Sequence, residues 1–435
     1  MRRVIFDTTP TAKSVREAIP RAQSADSQIS EVVADLIEDV RVGGAAALTS
    51  QAERFDGVTP KSLRVSKSDL EASISWLPAD LKLAIQESIN RVEKVSMASL
   101  PHGFTVEISE GAEVSQRYVP VDSVGLYVPG GKAVYPSSVI MNAVAAQIAK
   151  VPRLVICSPA QKEFGGLPHP SILATAALLG VEEVYAVGGA GAIAAMAYGV
   201  PEISLEPVAM VTGPGNIFVA TAKRQLRGLI GIDSEAGPTE ILILADATAN
   251  PTFIAADLIS QAEHDENAAA VLVTDSKALI DEVSAQLEVQ VAKTHHKDRV
   301  ETALNGKQSA LVLVPSLEVG IDVANQYATE HLEIHCADNQ AVLSQITNAG
   351  AIFLGNYSPV SLGDYIAGSN HVLPTSEQAK FGPGLGVHTF LRPQQVVSYS
   401  KQGLGEVVDK LTVFASAEGL LAHGDAAAIR FTMEN

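Results

Sequence analysis

The chain has 435 residues, enough at roughly 150 per domain for two to four domains. Hydrophobic residues make up 47% and charged residues 18%, so a large core is available and wholesale disorder is excluded. Lys plus Arg number 31 against 49 Asp plus Glu, a net charge of −18 with no run of Lys and Arg longer than three. Such a body repels a phosphate backbone or an anionic bilayer, so neither nucleic acid nor a membrane is expected as a partner.

The N-terminal string MRRVIFDTTPTAK lacks the apolar stretch of a signal peptide. No segment approaches the roughly 18 uninterrupted apolar residues of a membrane-spanning helix. Cys157 and Cys336 both lie in apolar, strand-like runs, which does not indicate a disulfide framework. A soluble, reducing, cytoplasmic setting is expected.

Residues 1–118 read as a helical region. Ser27 to Glu53 carries apolar residues three and four apart, interrupted near Gly43-Gly44, and a second helix is predicted from Pro78 to about Val95. From about Val119 short apolar strands alternate with Ala-rich helices: VGLYVPGG (124–131), RLVICSP (153–159) and VEEVYAVGGAG (181–191) each precede one. The pattern restarts after GPTEILILADATANP (237–251), with helices predicted at 252–264, 276–292 and 318–328 and strands at 269–275 and 309–315. Repeated strand–helix alternation predicts an α/β chain of βαβ units with parallel sheets, in two modules over 119–236 and 237–380. The tail, 381–435, reads as mixed, with a strand (QVVSYS) and at least one helix.

Several strings carry residues suited to chemistry. In SQAEHDE (260–266), Gln261 and His264 share a helix face and could ligate a metal; equally, His264 could simply meet the helix C-terminal dipole. ATEHLEIHC (328–336) sets Glu330 beside His331 and predicts a strand beginning near His331. The trio His331, Glu333 and His335 could bind a metal, but the solvated face of a half-buried strand is the expected reading. SLGDYIAGSNHVLPT (361–375) reads as a loop bearing Asp364, Tyr365, Asn370 and His371. Glu418 and His423 lie near the chain end, where a solvent-exposed role is the ordinary one. Gly-rich turns at VPGGK (128–132), VGGAGAIA (187–194) and TGPGN (212–216) could face a pyrophosphate. The second fits G-x-G-x-x-A through Gly189, Gly191 and Ala194, a lone match that proposes a dinucleotide without establishing one.

Taken together, nine ordered blocks resemble the histidinol dehydrogenase family. They are LYVPGG (126–131), VGGA-x-AIAA (187–195), GPGN-x-FV-x-x-AKRQ (213–225), AGPTE (236–240), DLISQAEH (257–264), EHLEI (330–334), NAG-x-IFLG-x-x-SP (348–359), GDY-x-x-G-x-NHVLPT (363–375) and EGL-x-AH (418–423). The resemblance implies oxidation of L-histidinol to L-histidine through histidinaldehyde, with NAD⁺ as acceptor. It also implies a fold of two incomplete Rossmann-like modules, and a homodimer with one zinc ion per site and tails that intertwine. Carried over by motif, the zinc ligands would be Gln261, His264, Asp364 and His423, the last from the partner subunit. Glu330 and His331 would be catalytic. Substrate contacts would come from Thr239, Tyr365, His371 and Glu418 beside the zinc ligands and His331, and NAD⁺ would lie near Tyr127, Gly191 and Asn216.

The chain departs from the family pattern at four of these places. Gly191 stands where the family usually has a nucleotide-contacting Gln, which makes the G-x-G-x-x-A match incidental. Thr239 replaces Ser but keeps the hydroxyl, Thr329 replaces Pro before Glu-His and would loosen that loop, and Asp265 replaces Gly. Three rivals stay open on the sequence: a sister enzyme oxidising another small alcohol, a zinc hydrolase, and a non-catalytic metal-binding protein.

Overall fold

A computed structural model describes residues 1–21, 27–130, 134–235 and 237–432. The chain opens with strand β1 (Arg2–Ile5) and helices α1 (Ala12–Ala18) and α2 (Ser27–Phe55). Gly44, at φ +51° and ψ −129°, divides α2 where the glycine pair predicted an interruption. Helices α3 (Lys67–Trp76) and α4 (Ala79–Ala98) follow, the second matching the predicted one. Strands β2 (Phe104–Ser109) and β3 (Ala112–Pro120) form an antiparallel hairpin. The N-terminal region is therefore not purely helical. Besides the hairpin, β1 adds to a sheet three hundred residues away, pairing Arg2 with Ala310 through Ile5 with Leu313.

The first parallel module comprises β4 (Val124–Tyr127), α5 (Pro136–Ile148), β5 (Leu154–Ser158), α6 (Pro170–Leu178), β6 (Glu183–Ala186), α7 (Gly189–Tyr198), β7 (Met210–Thr212), α8 (Ile217–Leu226) and β8 (Gly231–Ile232). Its strand order is β6-β5-β4-β7-β8, every pair parallel. Alternate residues of each strand enter different cores. Leu126 and Ile156 pack toward α5 and α6, while Val155 and Cys157 pack toward α2 and α7. Each large side chain so buried contributes about 1.5–3 kcal/mol.

The second module comprises β9 (Glu240–Ala245), α9 (Pro251–Ala262), β10 (Ala269–Thr274), α10 (Lys277–Val291), α11 (Lys297–Asn305), β11 (Ala310–Leu313), α12 (Leu317–Tyr327), β12 (His331–His335), α13 (Asn339–Leu343), β13 (Ala351–Leu354) and α14 (Val360–Tyr365). Its order is β1-β11-β10-β9-β12-β13, again all parallel. Every residue of β9, β10 and β12 is buried, as a sheet covered on both faces requires. Asp364 and Tyr365 thus sit on a short helix, and only the remainder of 361–375 is the expected loop.

In the tail, β14 (Leu391–Tyr399) carries the predicted QVVSYS strand and pairs antiparallel with β3. Three helices follow, α15 (Lys401–Gly405), α16 (Val408–Ala417) and α17 (Leu421–Thr432). Val413, Phe414, Leu421 and Ile429 on α16 and α17 are exposed. No helix among the described residues is long and apolar enough to cross a membrane.

Candidate active site

A cleft of about 630 Å³ opens between the two parallel sheets. One wall holds Pro129, just past β4, Pro214 to Asn216, just past β7, and the first turns of α5 and α8. The facing wall holds Thr239, immediately before β9, and Glu330 with His331, where β12 begins. The first sheet presents the carboxyl ends of its strands, the second its amino ends.

The first wall is built largely from backbone. Gly213 sits at φ +113°, and a Cβ there would collide with the Tyr127 carbonyl. Its N–H donates to Asp233 Oδ2 (2.8 Å) and its carbonyl accepts from Lys223 Nζ (3.0 Å), while Lys223 and Asp233 form a buried ion pair. Asn216 caps α8, its Oδ1 accepting from the N–H groups of Phe218 and Val219 at 3.0 and 3.2 Å. Helix α5 has no side-chain cap and no acidic residue in its first turn, and Ser137 and Ser138 of that turn line the cleft. Its positive end suits an anionic group. Of the VPGGK turn and the AGPTE block, Gly131, Lys132 and Ala236 lie outside the described residues.

Three residues assigned to the nucleotide separate here. Asn216 lines the cleft, whereas Tyr127 and Gly191 do not. Tyr127 is buried in β4, its hydroxyl accepting from Gly189 N–H at 3.2 Å, and burial pushes its phenol up to about 12. Gly191 is buried in α7 against the side chain of Gln51, which occupies the space a Cβ would need.

The second wall is built from side chains. Asn250 and Pro251 start α9 in the usual capping arrangement, and the helix ends at Ala262, so Gln261 stays buried while His264 leaves the helix into the cleft. Gln261 Nε2 donates to Thr239 Oγ1 (2.7 Å), which donates to Glu330 Oε2 (2.6 Å). Glu330 Oε2 also accepts from Glu240 N–H at 2.9 Å. His331 Nδ1 lies 3.0 Å from the Glu240 carbonyl, an arrangement in which Nδ1–H donates and Nε2 keeps its lone pair. That Nε2 and Gln261 Oε1 are both buried with no hydrogen-bond partner. Thr329 is buried with its hydroxyl donating to Glu240 O at 3.4 Å, so the strand entry is tied down rather than loosened.

Asp364 stands between two imidazoles, Oδ2 at 3.9 Å from His264 Nε2 and Oδ1 at 3.9 Å from His371 Nδ1. These are too long for hydrogen bonds. Donors about 2.1 Å from a tetrahedral zinc ion lie about 3.4 Å apart, so the Asp364–His264 gap would close by about half an ångström around a shared ion. Gln261 does not line the cleft, although its oxygen is buried and unpartnered; amide, imidazole and carboxylate are each donor types that zinc accepts. His371 Nε2 reaches Ser138 Oγ (3.2 Å) and Asn370 Nδ2 donates to Met141 O (2.8 Å), stitching the loop to α5 across the cleft.

Burial sets the protonation of this wall. It pushes Glu330 up to about 8 despite the donors from Thr239 and Glu240, and raises Asp364. It lowers His331 and His264, and takes His371 down to about 3 with help from the two neighbouring imidazoles. Neutral imidazoles at neutral pH are the forms that ligate metals and accept protons.

Tyr365 lines the cleft with its side chain exposed. Glu418 and His423 are exposed on the tail and do not line it. The face carrying His331, Glu333 and His335 is not solvated, since all three are buried against the α9 side of the sheet. Sequence reasoning missed Glu240, whose backbone anchors both Glu330 and His331. A carboxylate inside the apolar run EILILA was the available signal; its buried side chain pairs with Arg21.

Comparison with known proteins identifies the family. The histidinol dehydrogenase family model matches residues 19–431. Histidinol dehydrogenase of Leifsonia xyli subsp. xyli is 54% identical over 422 residues, covering 97% of either chain. That of Thermobifida fusca is also 54% identical, over 436 residues, covering 100% of this chain and 99% of the relative. The crystal structure of histidinol dehydrogenase from Elizabethkingia anophelis superposes with a TM-score of 0.93 at 32% identity, covering 99% of this chain and 98% of that one. By a family match over nearly its whole length, relatives above half identical and a shared fold, the chain belongs to the histidinol dehydrogenase family of oxidoreductases.

Proposed function

We propose that the protein oxidises L-histidinol to L-histidine through histidinaldehyde, passing one hydride to each of two NAD⁺ in succession at a site that holds one zinc ion. The observation that carries this reading is His331. Its Nδ1 is held on the Glu240 carbonyl and its Nε2 is buried and unpartnered, in the same cleft as the Asp364, His264 and His371 cluster.

Gln261, His264 and Asp364, with His423 of the partner subunit, would hold the zinc ion, and Asn216 with the first turn of α5 would face the nucleotide. When bound, NAD⁺ supplies the hydride acceptor and zinc, which has no redox chemistry, orients the substrate's amine and imidazole nitrogens. His331 Nε2 takes the proton of the substrate hydroxyl as hydride leaves the adjacent carbon. Glu330 takes a proton from the water that adds to the aldehyde, and a carboxyl titrating near 8 both accepts and returns protons close to neutrality. His331, freed of its proton, serves again as base when the hydrate loses the second hydride. Thr239, Tyr365 and His371 contact substrate from this chain, and the partner's Glu418 completes the pocket.

The exposed apolar residues of α16 and α17 support a homodimer in which tails cross into neighbouring sites. We assign residues 1–118, 119–236, 237–380 and 381–435 as the N-terminal region, nucleotide module, catalytic module and exchanged tail. Two free, buried cysteines fit a reducing cytoplasmic setting.

The test is the yield of NADH from a limiting, known amount of L-histidinol and zinc-loaded protein. Two NADH per histidinol are expected. One would remove the hydration role from Glu330, and none with zinc bound would transfer the reading to a sister enzyme acting on another small alcohol.

A further inference from the structure

Glu333 lies two residues along β12 from His331, fully buried, and has no place in the chemistry above. Its Oε1 accepts the N–H of Val360 at 2.9 Å, the first residue of α14, which carries Asp364. Its Oε2 lies 3.1 Å from His335 Nε2, whose Nδ1 reaches Asn356 Oδ1 at 3.2 Å. On its third side it shares a hydrogen bond with Asp257 of α9. Asp257 is one helical turn before Gln261 and so on the same face. One carboxylate therefore touches the three elements that carry Gln261, Asp364 and His331.

Burial and the charge of Glu333 push Asp257 up to about 8, so Asp257 keeps its proton and donates it to Glu333. Burial works against a charge on His335, but its bond to Glu333 prevails and raises it. Both ring nitrogens of His335 face an oxygen, Glu333 Oε2 and Asn356 Oδ1, the geometry in which an imidazole can compensate a buried carboxylate. The donor atoms of Asp257, Glu333 and His335 all lie within 4.8 Å of one another.

We propose that Glu333, seated between Asp257 and His335, is a positioning residue that holds α9, β12 and α14 in the mutual register the zinc donors and the base require. This rests on the zinc and base assignments of the preceding section. Helix α14 is six residues long, too short to hold its own place by propensity, and the Glu333–Val360 bond fixes where it starts. Loss of that bond would let Asp364 drift relative to Gln261 without touching either.

The experiment measures zinc affinity by chelator competition, with KM for NAD⁺ and kcat, on wild type and three variants. Glu333→Ala removes the acceptor. Val360→Pro removes the donated N–H while leaving Glu333 intact, at a first helical position that accepts proline and after Pro359, already extended at ψ 153°. Glu333→Gln keeps an oxygen for Val360 and removes the charge. Glu333→Ala and Val360→Pro are expected to weaken zinc about 10- to 100-fold, as loss of a supporting contact behind a metal ligand does, with KM for NAD⁺ unchanged. Glu333→Gln should recover most of that affinity, which a generally destabilised fold would not. Should Glu333→Ala fail to fold, Val360→Pro carries the test alone.

Unchanged zinc affinity in a folded Val360→Pro protein overturns the proposal while leaving the enzymatic reading intact. So does a wild type that binds two zinc ions per chain and loses one in Glu333→Gln, which would make the cluster an ion site. A wild type that neither binds zinc nor yields NADH overturns the enzymatic reading, and the positioning role falls with it.

Discussion

The two parallel sheets meet the same cleft with opposite ends and unlike materials. The five-stranded sheet brings carboxyl ends, a glycine turn braced by the Lys223–Asp233 pair, and the N-termini of α5 and α8. This is the ordinary ligand edge of an open α/β sheet, where backbone N–H groups suit a phosphate. The six-stranded sheet brings amino ends, where Thr239, Glu330 and His331 cluster with Asp364 and His264. Amino ends of strands carry no helix N-terminus aimed outward, so function there has to come from side chains. The division teaches that backbone donors suited to an anion and side chains suited to proton transfer gather at opposite strand ends, which two modules placed end to end bring to one cleft.

Variants on the two walls should therefore fail in different ways, and the largest failure belongs to the second. Exchanging His331 for Asn removes the unpartnered Nε2 and should lower kcat by about 10²–10⁴-fold with KM for NAD⁺ unchanged, measured by NADH absorbance. A rise in KM for NAD⁺ of similar size would dissolve the distinction between the walls.

The tail comes next. His423→Asn should abolish zinc binding although His423 lies outside this chain's own cleft. Reassociation with His331→Asn protein should then return about a quarter of wild-type activity, because half the dimers are mixed and each mixed dimer has one intact site. Absence of any recovery would remove His423 from the neighbouring site.

Protonation separates the walls more gently. Folded Glu330 titrates near 8 against an ordinary 4.5, so the folded state holds a proton that the unfolded chain has lost. Its contribution to stability is full below about 4.5 and fades as pH rises through about 8, with a limiting slope of about 1.4 kcal/mol per pH unit. Urea midpoints of the zinc-free protein at pH 5, 6.5 and 8 should fall more steeply for wild type than for Glu330→Gln. Equal slopes would show that Glu330 ionises freely. The smallest effect is expected on the first wall. Asn216→Ala removes the α8 cap and should lower stability by about 1 kcal/mol and raise KM for NAD⁺ several-fold, leaving kcat within twofold. A kcat loss of tenfold would place Asn216 among the chemistry instead.

Strand–helix alternation was legible from periodicity because parallel strands buried on both faces read as continuous apolar runs, as EILILA and AAVLVT do. The break in α2 was legible from its glycine pair, whereas the helical spacing of Gln261 and His264 overran α9, which ends at Ala262. What periodicity could not convey is partnership across the chain. β1 belongs to a sheet whose next strand begins at Ala310, and nothing local in Arg2–Ile5 announces it. The alternation of His331, Glu333 and His335 was read as a wet face because charge on alternate residues ordinarily means solvent. Here α9 and α14 cover that face, and mutual hydrogen bonds compensate the burial.

Local sequence thus determined which segments are helix and strand, since propensity and hydrophobic period act within a dozen residues, and its ordered motifs determined the family. Tertiary structure alone decided that the cleft joins carboxyl ends to amino ends, that Glu240 anchors Glu330 and His331 through its backbone, and that Tyr127 and Gly191 stand away from the cleft. Those outcomes depend on burial and on contacts between residues far apart in the chain, and it is burial, not residue type, that moves Glu330 to about 8 and keeps His371 neutral.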